Sequence, residues 1–406
     1  MSTDQEMNVP NRYFGWWLWT IVAITVIVLA LGVLVLVTGA FRDSERSLHG
    51  TIGSSLWTTV GPHLLLLCVI GVVVSVLGYR YGVKRVSSVA FALSTAAMLG
   101  SAFITFSIVS ATSSAGGSAS LLSGLWLKPM VGEGPDQQWV FSEVEGEALQ
   151  VAIYNTESSV GDAPVLMYIH GGGFKVGSNV ETDADLRWFA EQGWLVFSVD
   201  YRLWSNEVAT WDLASVDIAC AAAWVAANAA RFGGDIERLV VLGDSAGGNL
   251  AINYAYAVAQ DQLQSDCGDS LPAPEAVVVQ YPAVDPIAIY EHGYPVPGFE
   301  PKMLVIGYLG GEPQDYPERV SAVSSYTYIS EKAPPTLIIS PEKDGLVPSW
   351  SVVHFADSAQ AAGVAVELVK IPFANHVYNQ IAFNSIGNQA RLSITRRYLA
   401  EQGLLP

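Results

Sequence analysis

Three stretches without a single Asp, Glu, Lys or Arg, residues 13–41, 47–79 and 86–127, constrain this chain more than any other feature. Each contains a strongly apolar run, and a bilayer core of about 30 Å is crossed by roughly 20 helical residues. Residues 16–37, 52–78 and 87–110 all reach that length, so three transmembrane helices are expected. The first exceeds the apolar region of a cleaved signal peptide, about 7 to 15 residues, and has no small-residue cleavage site, so it is expected to stay attached. Tyr13, Phe14, Trp16, Trp17 and Trp19 form an interfacial belt at its start. Gly61-Pro62 predicts a kink in the second helix, and Ser94, Ala97 and Ser101 equip the third for close packing within the bundle.

The charges are segregated. Residues 1–128 carry 7 Lys+Arg against 4 Asp+Glu, a net of +3, whereas residues 129–406 carry 13 against 34, a net of −21. A surface that acidic repels phosphate backbones and excludes nucleic acid as a partner. In the loop 79–86, Arg80, Lys84 and Arg85 are unopposed by acids, while Arg42 and Arg46 are offset by Asp43 and Glu45. The basic loop is therefore expected in the cytoplasm, which puts everything after residue 110 outside. Residues 1–112 read as a membrane anchor and 113–138 as a tether with an apolar interfacial foot at 121–127. Residues 139–406 read as an independent domain that builds its core without the membrane helices. Cys68, Cys220 and Cys267 are too few for a disulfide framework or a structural zinc site. Free thiols are expected, with Cys220 to Cys267 as the one available bridge.

From residue 139 the pattern changes. A hairpin around Gly146 (139–145 and 148–154) precedes short apolar runs at 165–169, 195–199, 239–242, 276–280, 336–339 and 366–369. Helical segments lie between them, at about 183–192, 212–231, 248–260, 349–362 and 385–402. This alternation predicts an α/β fold, a mostly parallel sheet with helices on both faces. Functional groups then belong at the carboxyl ends of the strands.

Three loops there carry chemistry. Gly243-Asp244-Ser245-Ala246-Gly247-Gly248 follows a strand and opens a helix, a turn so tight that the flanking positions must be glycine and Ser245 projects from the sheet edge. A serine nucleophile needs a base and an orienting acid, which in this strand-helix-strand setting follow it in chain order. Asp344 stands after the run 336–339, ahead of its rivals Glu342, nearer the strand end, and Asp357, inside a helix. Of six histidines only His376 lies on a loop after the last strand. The third loop, His170-Gly171-Gly172-Gly173-Phe174, can turn backbone N–H groups toward one point and stabilise a negative oxygen. Neither phosphate-loop pattern, G-x-x-x-x-G-K-[ST] or G-x-G-x-x-G, occurs.

With HGGGF at 170–174, VDYRL at 199–203, GDSAGGNLA at 243–251, Asp344 followed by LVP, and His376, the segment 139–406 resembles the α/β-hydrolase fold and, within it, the hormone-sensitive-lipase-like carboxylesterases. The resemblance implies oxyanion donors on the N–H groups of Gly172, Gly173 and Ala246, supported by Gly171, Gly243, Asp244 and Gly247, with His170 shaping the loop. It also implies an ester substrate, no metal or organic cofactor, and no obligate protein partner. Two departures stand out. Trp204-Ser205-Asn206-Glu207 replaces the family's APE continuation, and the membrane helices replace an N-terminal helical cap, leaving 285–328 as the cap insertion. The expected activity is that of a membrane-anchored serine esterase; an acyltransferase or peptidase using the same triad, or a binding-only receptor on this fold, are the alternatives.

Overall fold

In the computed structural model of the chain, the described residues are 12–44, 46–144, 146–155, 162–263, 265, 267, 270–296 and 298–406, with side chains described from residue 15. The belt residues Tyr13 and Phe14, and Glu145 of the hairpin, therefore lie outside the described side chains.

The apolar half forms α1 (Arg12–Ala40), a short α2 (Leu48–Ser55), α3 (Trp57–Arg80) and α4 (Lys84–Ser114). Three of these, α1, α3 and α4, are long and apolar enough to cross a membrane. They pack through small residues: Gly71 and Gly78 of α3 sit against Ser94 and Ser87 of α4, where a Cβ would approach the serine oxygens to 2.8 and 2.6 Å.

The second helix differs from its expected form. Pro62 lies inside α3, and the break comes earlier, at Leu56. Residues 52–55, expected within a transmembrane span, belong instead to α2, which lies across the last turn of α1. Gly53 touches the backbone of Gly39, where an added Cβ would come within 2.5 Å of its Cα, and His49 Nε2 reaches Val35 O at 2.8 Å. Only glycines allow two backbones this close. The tether contains one helical turn, α5 (Leu121–Gly124).

The remainder is an eight-stranded sheet: β1 (Gln137–Val144), β2 (Glu147–Tyr154), β3 (Ala163–Ile169), β4 (Leu195–Val199), β5 (Gly234–Asp244), β6 (Ala276–Gln280), β7 (Thr336–Pro341) and β8 (Val366–Ile371), in the order β1-β2-β4-β3-β5-β6-β7-β8. The β1–β2 and β2–β4 pairs are antiparallel and all others parallel. Val165–Ile169 and Val277–Val279 are almost fully buried, as strands covered on both faces must be. Covering or capping them are α6 (Asp183–Glu191), α7 (Leu213–Asn228), α8 (Ala246–Val258), α9 (Pro286–His292), α10 (Pro301–Leu309), α11 (Pro317–Val323), α12 (Ser349–Ala361) and α13 (Ile386–Glu401). Helix α7 with its 3-10 extension is also long and apolar enough to span a membrane, but its residues are packed into the sheet core.

The two halves share one core. The cluster on one face of the sheet joins Leu166, Val240, Leu337, Ile394 and Tyr398 to Val37, Trp57, Ile104 and Ile108 of α1, α3 and α4. Ile386 of α13 abuts Gly124, Ile394 abuts Gly117, and Gly387 abuts Thr58. The tether is pinned along α13 by Ser118 N donating to Ser393 Oγ (2.9 Å) and Ser120 N to Gln389 Oε1 (2.7 Å). Where the sequence suggested a core built without the N-terminal helices, the packing is shared, because α13 covers the sheet with one side and meets α3 and α4 with the other.

The cysteine expectation changes as well. Cys220 of α7 and Cys267 form a disulfide, with Cα atoms 5.1 Å apart across 47 residues of sequence, and Cys68 alone is free. The loop after α8 returns over α7, a proximity that chain order does not display.

Candidate active site

Residue Ser245 occupies the turn between β5 and α8 with φ +54°, ψ −115°, a conformation costly for any side-chain-bearing residue. The turn closes because Gly243 and Gly247 lack side chains: a Cβ on Gly243 would lie 2.3 Å from Gly247 O, and one on Gly247 would lie 2.1 Å from Ile169 O. Strain held by such packing is the signature of a nucleophile elbow.

Asp344, after β7, and His376, after β8, converge on this serine. Ser245 Oγ is 3.0 Å from His376 Nε2, and His376 Nδ1 is 2.7 Å from Asp344 Oδ2. The other oxygen of Asp344 accepts the N–H groups of Leu346 (3.1 Å) and Val347 (2.9 Å), which fixes the carboxylate. All three side chains are buried, and the imidazole lies against the Tyr281 ring at 4.5 Å. Among the described residues, the carboxylate paired with His376 is that of Asp344, not of Glu342 or Asp357.

A fourth residue, which the sequence did not reveal, locks this arrangement. Asn375 Oδ1 accepts from Gly345 N (3.0 Å) and from His376 N (2.7 Å), tying the acid loop to the base loop. Its amide nitrogen donates to Ser54 Oγ of α2 at 2.9 Å. Ser44 Oγ, just before α2, donates to Lys343 O at 2.5 Å. Helix α2 thus braces both loops, and no motif spacing connects residues 54 and 375.

The glycine loop faces Ser245. Gly172 (φ +105°) and Gly173 (φ +62°) adopt backbone angles that side chains disfavour. A Cβ on Gly172 would lie 1.9 Å from Val176 O. The loop is held from behind by Trp204, whose indole N–H donates to Gly173 O (3.1 Å), and by Phe174 stacked on Tyr308 of α10 at 3.7 Å. The Trp204 departure from the family pattern is therefore a support for the loop. Below the elbow, Asp244 accepts from Tyr168 OH (3.1 Å) and Gln380 Nε2 (3.0 Å) and faces Arg391 at 3.7 Å. Arg391 also pairs with Asp185, whose carboxyl is pushed up to about 6, chiefly by burial.

His170 lies away from the proton relay. It is buried, stacks on Tyr201 at 4.4 Å and donates from Nδ1 to Gly171 O at 2.8 Å. Burial lowers its pKa to about 4, below the unfolded value near 6.5. Between about pH 6.5 and pH 4 the unfolded chain binds the proton that the folded chain refuses. The contribution of neutral His170 is whole above pH 6.5 and is lost as pH falls through that window. Equilibrium unfolding of His170→Gln beside the parent should show a shallower fall in stability from pH 7 to pH 4.5. Parallel curves would mean that His170 takes up a proton without unfolding the loop.

Two cavities meet at Ser245 and Gly173. The first, about 530 Å³, is apolar, walled by Phe174, Ala246, Ile289, Leu304, Tyr308 and Val323. Besides Ser245 and the Tyr308 hydroxyl, Asn249 lines it, and its amide donates to Val323 O and Ser325 Oγ. The second, about 980 Å³, is lined by His376, Glu181, Gln380 and Ile381, together with Thr51 and Ser55 of α2.

A protein-family model, BD-FAE, matches residues 151–358. The chain is 30% identical over 223 residues to the esterase LipQ of Mycobacterium tuberculosis, covering 54% of this chain and 51% of that protein. It is 30% identical over 247 residues to the ethyl acetate hydrolase of Pseudomonas putida, covering 57% and 72%. The chain spans about half the length of the first curated relatives it matches. Among solved structures it is similar to the thermophilic esterase of Thermogutta terrifontis with propionate bound, at 25% identity and a TM-score of 0.56, covering 67% of this chain and 96% of that one. These relatives and neighbours are carboxylic ester hydrolases. With its mostly parallel sheet, its serine elbow and a family match over half its length, this chain belongs to the BD-FAE family of esterase- and lipase-type α/β-hydrolases.

Proposed function

We propose that the protein is a membrane-anchored serine carboxylesterase, and the observation that carries this reading is the continuous Ser245–His376–Asp344 hydrogen-bond chain beside the glycine loop. Ser245 Oγ attacks the ester carbonyl carbon as its proton passes to His376 Nε2. Asp344 holds the imidazole tautomer and stabilises the imidazolium. The N–H groups of Gly172, Gly173 and Ala246 stabilise the tetrahedral oxyanion. The carbon–alkoxy bond then breaks, His376 returns the proton to the departing alkoxide oxygen, and free alcohol leaves. Water, deprotonated by His376, cleaves the acyl-serine, releasing the carboxylic acid and restoring Ser245. Because His376 must reach the leaving oxygen and lines only the larger cavity, the alcohol occupies that cavity and the acyl chain the apolar one.

The division into a membrane anchor (1–112), tether (113–138) and hydrolase (139–406) with cap insertion (285–328) belongs to the same proposal. So does the placement of the hydrolase outside the cytoplasm. The basic loop supports it, and so does the Cys220–Cys267 bridge, since disulfides persist in oxidising compartments. A membrane-impermeant fluorophosphonate applied to intact cells tests chemistry and topology together. The expected result is labelling of Ser245 without lysis. Labelling only after lysis would reverse the orientation, and no labelling in either state would remove Ser245 as nucleophile.

A further inference from the structure

The membrane helices indicate where the bilayer surface meets the hydrolase. At one end, Trp16, Trp17 and Trp19 gather beside Arg80, Lys84 and Arg85, with Trp19 stacked on Tyr81 at 5.0 Å. Counting roughly 20 residues for a core of about 30 Å leads from Trp19 to Gly39, from Arg80 back to Val60, and from Lys84 to Ile104. Contacts independent of that count put these positions at one level. A Cβ on Gly61 would sit 3.0 Å from Thr105 Oγ1, and Phe41 stacks on Phe103 at 6.1 Å.

The candidate site stands directly on this level. Phe373, two residues before Asn375, packs edge-on against Phe41 (5.1 Å) and Phe103 (5.9 Å). Helix α2 lies across Gly39 with Gly50, Thr51, Gly53 and Ser54 buried and Leu48 and Ile52 exposed at 64% and 46%. An exposed apolar edge along a helix lying across the end of a membrane span is the arrangement of an interfacial helix. Thr51 and Ser55 of this helix form part of the wall of the 980 Å³ cavity, whose opposite lip, Val377 and Ile381, is 40% and 53% exposed. Nearby, Leu122 and Trp126 of the tether project from the turn that packs on Pro62.

From this juxtaposition we infer that the larger cavity receives its substrate from the bilayer surface: the alcohol is an amphiphile anchored among the lipids, and α2 with the Val377–Ile381 lip is the passage by which its ester rises to Ser245. The inference rests on the esterase reading above. An amphiphilic alcohol satisfies the cavity, which combines polar groups (Thr51, Ser55, Glu181, Gln380) with apolar wall residues (Val296, Phe299, Leu346) and an apolar lip. The smaller apolar cavity, walled by Leu304 and Tyr308 of the cap, receives the acyl group, so the lipid tails belong to the alcohol side.

Full-length protein reconstituted into phosphatidylcholine vesicles tests this with two acetate esters of glycerol. One is 1,2-dioleoyl-3-acetylglycerol held in the vesicles, and the other is triacetin in the surrounding water. Acetate release from both is expected. The double substitution Leu48→Glu, Ile52→Glu places charges on the α2 edge outside the cavity wall. It should lower release from the vesicle-borne ester at least tenfold while triacetin turnover stays within twofold of the parent. If the parent turns over triacetin but leaves the vesicle-borne ester intact, the interfacial route is overturned and the esterase reading stands. Equal loss on both substrates, or loss on neither, also overturns the route. If the parent releases acetate from neither ester, the esterase reading fails and takes the inference with it.

Discussion

Substituting Ser245 by Ala should reduce kcat/KM on a water-soluble ester by roughly 10⁴- to 10⁶-fold, and His376→Ala should do the same. Both side chains act on bonds being made and broken, and neither supports the sheet: Ser245 is held by its backbone, with its N–H donating to Gln280 O at 2.9 Å. The double variant should be no worse than either single one, because a nucleophile without its base and a base without its nucleophile fail at the same step. Asn375→Ala should cost less and lower kcat more than it raises KM, since it positions the acid and base loops without touching substrate. Steady-state kinetics on an acetate or butyrate ester, with thermal unfolding to confirm an intact fold, checks the set. Turnover by Ser245→Ala within tenfold of the parent would end the acyl-enzyme mechanism.

A chain beginning near Gly134 should lose its fold along with its membrane. It retains Ser245, Asp344 and His376, and from sequence it looks self-sufficient at about 270 residues. Yet removal of the first 133 residues uncovers Ile386, Gly387 and Ile394 along α13 and Phe373 beside the base loop. It also takes away the Ser54–Asn375 and Ser44–Lys343 bonds. Exposing each large apolar side chain forfeits about 1.5 to 3 kcal/mol, against a total stability of about 5 to 15 kcal/mol. Several such losses exhaust it. The expected result is an aggregating fragment, or one with no cooperative unfolding transition and no measurable turnover of short esters. A soluble fragment with parental activity would show that α13 holds the sheet without help from α3 and α4.

The sequence by itself determined the family and most of the fold, for reasons visible in particular residues. Glycines at 172, 173, 243 and 247 are required by contacts of under 3 Å that any side chain would violate, so the loops they build carry a legible signature. Strands such as β4 and β6 begin and end close to where their runs of apolar residues do, because a strand buried on both faces is dominated by apolar side chains. The uncharged runs of α1, α3 and α4, long and apolar enough to cross a membrane, are just as plain, since a charge within a bilayer core is costly.

Only the tertiary structure decided how the two halves meet. Residues 52–55 are uncharged and continuous with an apolar run, and what turns them into a separate helix is the Gly39–Gly53 contact with α1. Asn375 and Ser54 are separated by 321 positions and joined by one hydrogen bond. Trp204 reads as an anomaly until its indole is found on the Gly173 carbonyl, and Cys220 and Cys267 become partners only once α7 and the loop after α8 are stacked. Local patterns record what a segment must do to its own backbone and to its solvent. Contacts between distant segments depend on where the sheet delivers each loop, and that geometry leaves no periodicity in the chain.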